Sequence, residues 1–149
     1  MNADLSVAPE IAQLAAPPAA APHRLDVPRT DGRIAGDLTD LATAPERWWD
    51  LVRFDAGGPV RVQLPGAPGA WLLVLPPGAA ADCDCRQATA LAGEAAEPPG
   101  PGGPADGAGG AVAVPGRPLR PGRIRVHGAH GPHSVRSAGP GYSVTLHSR

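Results

Sequence analysis

Lysine is absent from this 149-residue chain, asparagine occurs only at position 2, and aromatic residues amount to 3%. A net charge of −1, with so few rings, supplies neither the basic field nor the stacking platform that nucleic-acid binding needs, and no such partner is expected. No apolar run approaches the length of a membrane span. The opening MNADLSVAPEIAQLAAPPAAAPHR carries acids where a signal peptide is basic, and prolines break any apolar stretch. A cytoplasmic protein without a membrane partner is therefore expected. Cysteine is limited to two residues, Cys83 and Cys85, so a disulfide framework is excluded and the sulfurs are expected as thiols or ligands. There is no internal repeat, no heptad pattern and no glycine loop in the strand-to-helix setting that a phosphate cradle requires.

Glycine and proline, by contrast, number 20 each, and they are concentrated. Residues 1–35 form an Ala/Pro-rich stretch expected to be a disordered tail, and a low-complexity insert covers 98–111, neither able to bury enough apolar surface to order itself. The remainder, 36–149, is expected to be one domain. Its first periodic segment is DLTDLATAPERWWDLV, residues 37–52, read as two short helices split at Pro45 with Asp37 as cap. Beyond it the period becomes two: LVRFD, GPVRVQL, AWLLVLPPG, RQATALAGE, AVAV, RIRVHG, HSVRS and YSVTLHS are short strands between Gly/Pro turns. The fold class expected is all-β with a short N-terminal helical segment.

Two clusters carry possible chemistry. In a strand, residues i and i+2 share a face, so ADCDC would present the sulfurs of Cys83 and Cys85 side by side as a chelating pair. The segment GRIRVHGAHGPHSVRSAGPGYSVTLHSR holds four of the five histidines, His127, His130, His133 and His147. Neutral imidazole is the commonest metal ligand, and two thiolates with one histidine would leave a fourth tetrahedral position open. Against this stands the plainer reading: buried free cysteines usually serve as small hydrophobes, and an isolated histidine is most often a surface residue.

Gly122, ten residues, then His133 resembles the second motif of the cupin superfamily, with Gly128, His130 and Ser137 where the motif has Pro, Gly and Asn. WLLVLPPGAAADCDC is similar to the first motif as the cysteine dioxygenase branch carries it, an apolar strand, a Pro-Gly turn and His-Asp-His, with Cys83-Asp84-Cys85 at the place of the paired histidines. Gly78 to Cys83 is one residue short of that pattern, and Cys85 to Gly93 about four. The resemblance implies a small cupin-type β-barrel, a double-stranded β-helix. It implies iron(II) held by Cys83, Cys85 and His133, a small cysteine-like thiol as substrate, and oxidation to the sulfinate. Arg53 resembles the family's carboxylate-binding arginine, and Thr145-Leu146-His147 the hydroxyl and histidine of its C-terminal active-site strand, which gives Thr145 and His147 catalytic roles. Thiolate ligands soften a site toward zinc, so the alternative is a cupin without turnover that binds zinc or a small ligand or acts as a scaffold.

Overall fold

The computed structural model describes residues 29–99, 116–127 and 132–149. Most of the expected tail, nearly all of the insert, the AVAV strand and His130 lie outside the described residues. The helix comes earlier than periodicity indicated. Thr30 accepts a hydrogen bond from the Arg33 amide at 3.3 Å and Asp31 opens the first turn, so α1 spans Asp31–Ala42. Asp37, expected as the cap, lies mid-helix and pairs on the surface with Arg29 at 3.0 Å. Ile34, Leu38 and Leu41 form the buried stripe, and the Trp48 indole N–H closes the C-terminal end by donating to the Leu41 carbonyl at 3.0 Å. Pro45 marks the expected split: α1 stops before it, and the second helical stretch takes the form of two 3-10 turns, Pro45–Arg47 and Trp49–Leu51, while the LVRFD segment that follows forms no strand.

Among the described residues nine strands follow: β1 Val60–Gln63, β2 Ala70–Leu75, β3 Ala80–Cys83, β4 Gln87–Ala92, β5 Ala95–Glu97, β6 Arg117–Leu119, β7 Arg125–Val126, β8 His133–Ser137 and β9 Ser143–Ser148. They build two antiparallel sheets, β1-β2-β9-β4-β7 and β3-β8-β5-β6. The chain repeatedly crosses between layers, the plan of a jelly roll. The expected closed barrel is not formed among the described residues, because no ladder joins one sheet to the other.

The first sheet is covered on both faces, and alternation along its strands sorts the side chains. Outward, Leu72, Val74, Val144 and Leu146 pack against Leu38, Leu41, Trp48 and Val52 of the helical segment. Inward, Trp71, Leu73 and Leu75 meet Cys83, Cys85, Ala95 and Val135 from around the second sheet. Gly93 turns the chain from β4 toward β5 at φ 70°, and a Cβ there would lie 2.2 Å from the Tyr142 carbonyl oxygen, so only glycine fits.

Candidate metal centre

Cys85 lies just past β3, where the chain has left the strand, and both cysteines pack into the inner cluster. Both are free and buried, but only one joins the histidines. The backbone on either side of Cys85 is pinned at the next residue: the Arg86 amide donates to the Ser148 carbonyl at 2.8 Å, and the Arg86 carbonyl accepts from the His127 amide at 2.7 Å. The end of β9 and the residue after β7 are thereby drawn to the cysteine. Arg149 adds an ion pair to Asp84 across the same loop. His133 opens β8 opposite Cys83 in the ladder, and its Nε2 lies 3.4 Å from the Cys85 sulfur.

Ligand atoms of Cys85, His127 and His133 all lie within 4.8 Å of one another. The rings of His127 and His133 stack with centroids 4.0 Å apart. A metal with bonds of about 2.3 Å to sulfur and about 2.0 Å to nitrogen would set an S···N edge of about 3.5 Å in a tetrahedron, so the 3.4 Å contact already has coordination spacing. Cys83, expected as a ligand, stands outside this group; its sulfur faces the Ala81 carbonyl at 4.0 Å. His127 takes its place. The histidine-rich stretch pointed to it only as one of four imidazoles, and the backbone bond through Arg86 is what selects it.

Behind the sulfur runs a chain of buried polar groups. His147 Nδ1 is 3.2 Å from Cys85 Sγ, its Nε2 is 2.7 Å from the Thr145 hydroxyl, and that hydroxyl lies 3.3 Å from the Leu73 carbonyl. A hydroxyl has one proton. If Thr145 donates it to Leu73, then His147 carries hydrogen on Nε2 and accepts the Cys85 S–H at Nδ1. Thr145 and His147 are fully buried, with 0% exposure. Trp71 stacks on His147 at 5.6 Å and 11°, and the Arg61 guanidinium lies 3.9 Å over the indole.

Electrostatics keeps the imidazoles neutral, the form that binds metals. Burial, helped by the neighbouring histidines, holds His147 at about 3. Burial and His133 hold His127 at about 4, and burial lowers His133 as well. The Cys83 sulfur beside it and burial push the Cys85 thiol up, and the same pairing lowers Cys83. Without a cation, the Cys85 sulfur faces two imidazoles, those of His133 and His147. His127 Nε2 and His133 Nδ1 are buried without a hydrogen bond to any of the described residues. Glu97, on β5, sits with Oε1 3.1 Å from His127 Nε2, close but not aligned as a hydrogen bond, and burial raises its carboxyl. A carboxylate behind an imidazole is what orients a metal-bound histidine. The donor set thus fits a transition metal. Glu97 carried no sequence signal beyond its place at the end of AAE.

Arg53 does not join the site. It follows the second 3-10 turn rather than lying in a strand, is exposed, and donates to the Asp50 and Val52 carbonyls at 2.7 and 3.0 Å. Arg61 lies over Trp71 on the inner face at 3.9 Å, with Arg149 farther off at 5.8 Å.

No family model matches the chain, and no curated protein matches it either. Among solved structures it is similar to the Thermus thermophilus protein TT1209, at 20% identity and TM-score 0.46 over 68% of this chain and 93% of that one. It is also similar to a cupin superfamily protein from Desulfitobacterium hafniense, at 13% identity and TM-score 0.44 over 68% and 87%. Likenesses this distant assign no role to any residue, and the site rests on the side chains described above.

Proposed function

We propose that the chain is a metal-dependent enzyme of the cupin type, with its metal held by Cys85, His127 and His133, and that it oxidises a small cysteine-like thiol with dioxygen to the sulfinate. The observation that carries this reading is the convergence of three ligand atoms within 4.8 Å from three separate segments. Three protein ligands leave positions open for substrate, as catalytic sites do and closed structural sites do not. With Cys83 outside the set, the ligands bring one negative charge instead of two, which favours the approach of a substrate thiolate.

The reaction RSH + O2 → RSO2H balances without a further reductant, and bound iron(II) would supply the oxygen chemistry. The chain's own residues supply position. Arg61 is suited to a substrate carboxylate, His147 and Thr145 hold the Cys85 sulfur, and Trp71 with Leu73 keeps water from the inner face. Free thiols at both cysteines fit a reducing compartment such as the cytoplasm. No helix among the described residues is long and apolar enough to cross a membrane.

Cys85 also supports a second reading, a zinc-binding module without turnover, since a thiolate among imidazoles suits zinc. Metal analysis of the full chain, followed by oxygen uptake with cysteine and with 3-mercaptopropionate, separates the two. Near-stoichiometric iron, with thiol-dependent uptake that His133→Ala abolishes, supports the enzyme. Stoichiometric zinc without uptake supports the module, and a protein that takes up no metal overturns both.

A further inference from the structure

A second concavity, lined by none of the candidate ligands, lies along the segment from Arg117 to Val126. Its volume is about 520 Å³, within the range of small-molecule sites. Of the eight described residues that line it, four are arginines, Arg117, Arg120, Arg123 and Arg125, and none is acidic. This concentration reflects a division along the chain: residues 1–97 hold thirteen acids and seven arginines, whereas 98–149 hold six arginines and one acid, Asp106. Arg125 has a partner in Glu97, Nε to Oε2 at 3.5 Å. Arg117, Arg120 and Arg123 form no ion pair with any of the described residues.

The frame that presents these guanidinium groups is anchored. β6 pairs with β5, the Thr89 hydroxyl donates to the Arg120 carbonyl at 3.2 Å, Pro121 bridges to Ala90, and the Arg123 amide donates to the Arg120 carbonyl at 3.2 Å. Pro118 and Pro121 fix two further dihedrals. Like charges held together on a tied backbone repel one another, and an anion relieves this while meeting planar forks matched to its oxygens.

We infer that this cleft binds a small polyanion, a molecule with two or more phosphate or carboxylate groups. One such group leaves most of the three unpaired guanidinium groups unused, and two or three account for them.

Calorimetric titration of the full chain at constant ionic strength, with inorganic phosphate, pyrophosphate and citrate, tests this. Saturable one-to-one binding of pyrophosphate or citrate is expected, about tenfold or more tighter than phosphate, and whichever of the two binds tighter identifies the group chemistry. The double variant Arg120→Gln/Arg123→Gln should weaken it by about tenfold or more, Arg117→Gln should give a smaller loss, and Arg33→Gln on α1 should change nothing. Absence of saturable binding at millimolar concentrations overturns the inference. So does affinity that survives the double variant, or binding confined to a long polyanion such as heparin.

Discussion

β9 gives its two faces to different tasks. Val144 and Leu146 point outward into the cluster with Leu38, Leu41 and Trp48, where all that is required is shape and carbon surface. Thr145 and His147 point inward and are just as completely buried, but each polar atom has a partner, in a chain that ends at Cys85. Burying a hydroxyl or an imidazole is costly unless it is hydrogen-bonded, so Thr145 and His147 are tied into a connected network that the carbon side chains of the outer face do not need. One strand with one alternation therefore makes a core on one side and a site on the other. The two sides should fail separately.

Removing ligands breaks the inner face alone and has the largest expected effect. Cys85→Ser combined with His133→Ala should lower metal affinity by more than the roughly 100-fold that loss of supporting residues costs, measured by competition with a chromophoric chelator, with the far-ultraviolet circular dichroism unchanged. Leu146→Ala makes the reverse cut. It should reduce stability by about 2–5 kcal/mol in denaturant titrations while the folded fraction keeps its metal stoichiometry. A folded Leu146→Ala protein that cannot take up metal would show that the two faces are one unit.

Much of the outer face could be read directly. The strands β1, β2, β4, β8 and β9 follow from alternating apolar residues between Gly/Pro turns, and the stripe of Leu38 and Leu41 from helical spacing. What escaped were elements whose signals are weak or compete with others. β3, β5 and β6 are three or four residues long and built from Ala, Pro and charged residues, which favour no strand on their own. The helix start at Thr30 was concealed by the Ala/Pro composition around it, although Thr30-Asp31 is a sound capping pair. At the site, Cys85 and His133 were visible through spacing. His127 and Glu97 were not, because their place depends on a backbone bond through Arg86 and on a three-residue strand, both long-range consequences of the fold. Cys83 shares the inner cluster with Cys85, but only Cys85 reaches the two imidazoles, which spacing along the chain does not reveal.

Acid should act on the inner face before the outer. His147 and His127 are held at about 3 and about 4, and His133 is also lowered, against an ordinary value of 6.5. Between those values the unfolded chain binds more protons than the folded one. Stability is therefore complete above about pH 6.5 and is lost as the pH falls toward 4, with a slope near 1.4 kcal/mol per pH unit from His147 alone. Glu97, whose carboxyl is raised, opposes this in part, because it favours the folded state as it protonates. Denaturant midpoints of the metal-free protein across pH 7 to 4.5 should fall; a flat profile would mean that the imidazoles are not buried as described.

The smallest effect separates two arginines. On β1, Val60 and Val62 pack with the outer cluster while Arg61 turns inward to cover Trp71 at 3.9 Å, so the same two-sidedness extends to the sheet edge. Arg53 belongs to neither face: it is exposed and, among the described residues, bonds only to nearby carbonyls. Arg53→Ala should change thermal stability by no more than about 0.5 kcal/mol and leave tryptophan emission as it was. Arg61→Ala removes a cation from an indole that stacks on His147, costs about 0.5–1 kcal/mol, and should alter that emission. Equal responses from the two variants would place Arg53 at the inner face after all, and would restore it as the carboxylate-binding residue that its position in RWWDLVRF implied.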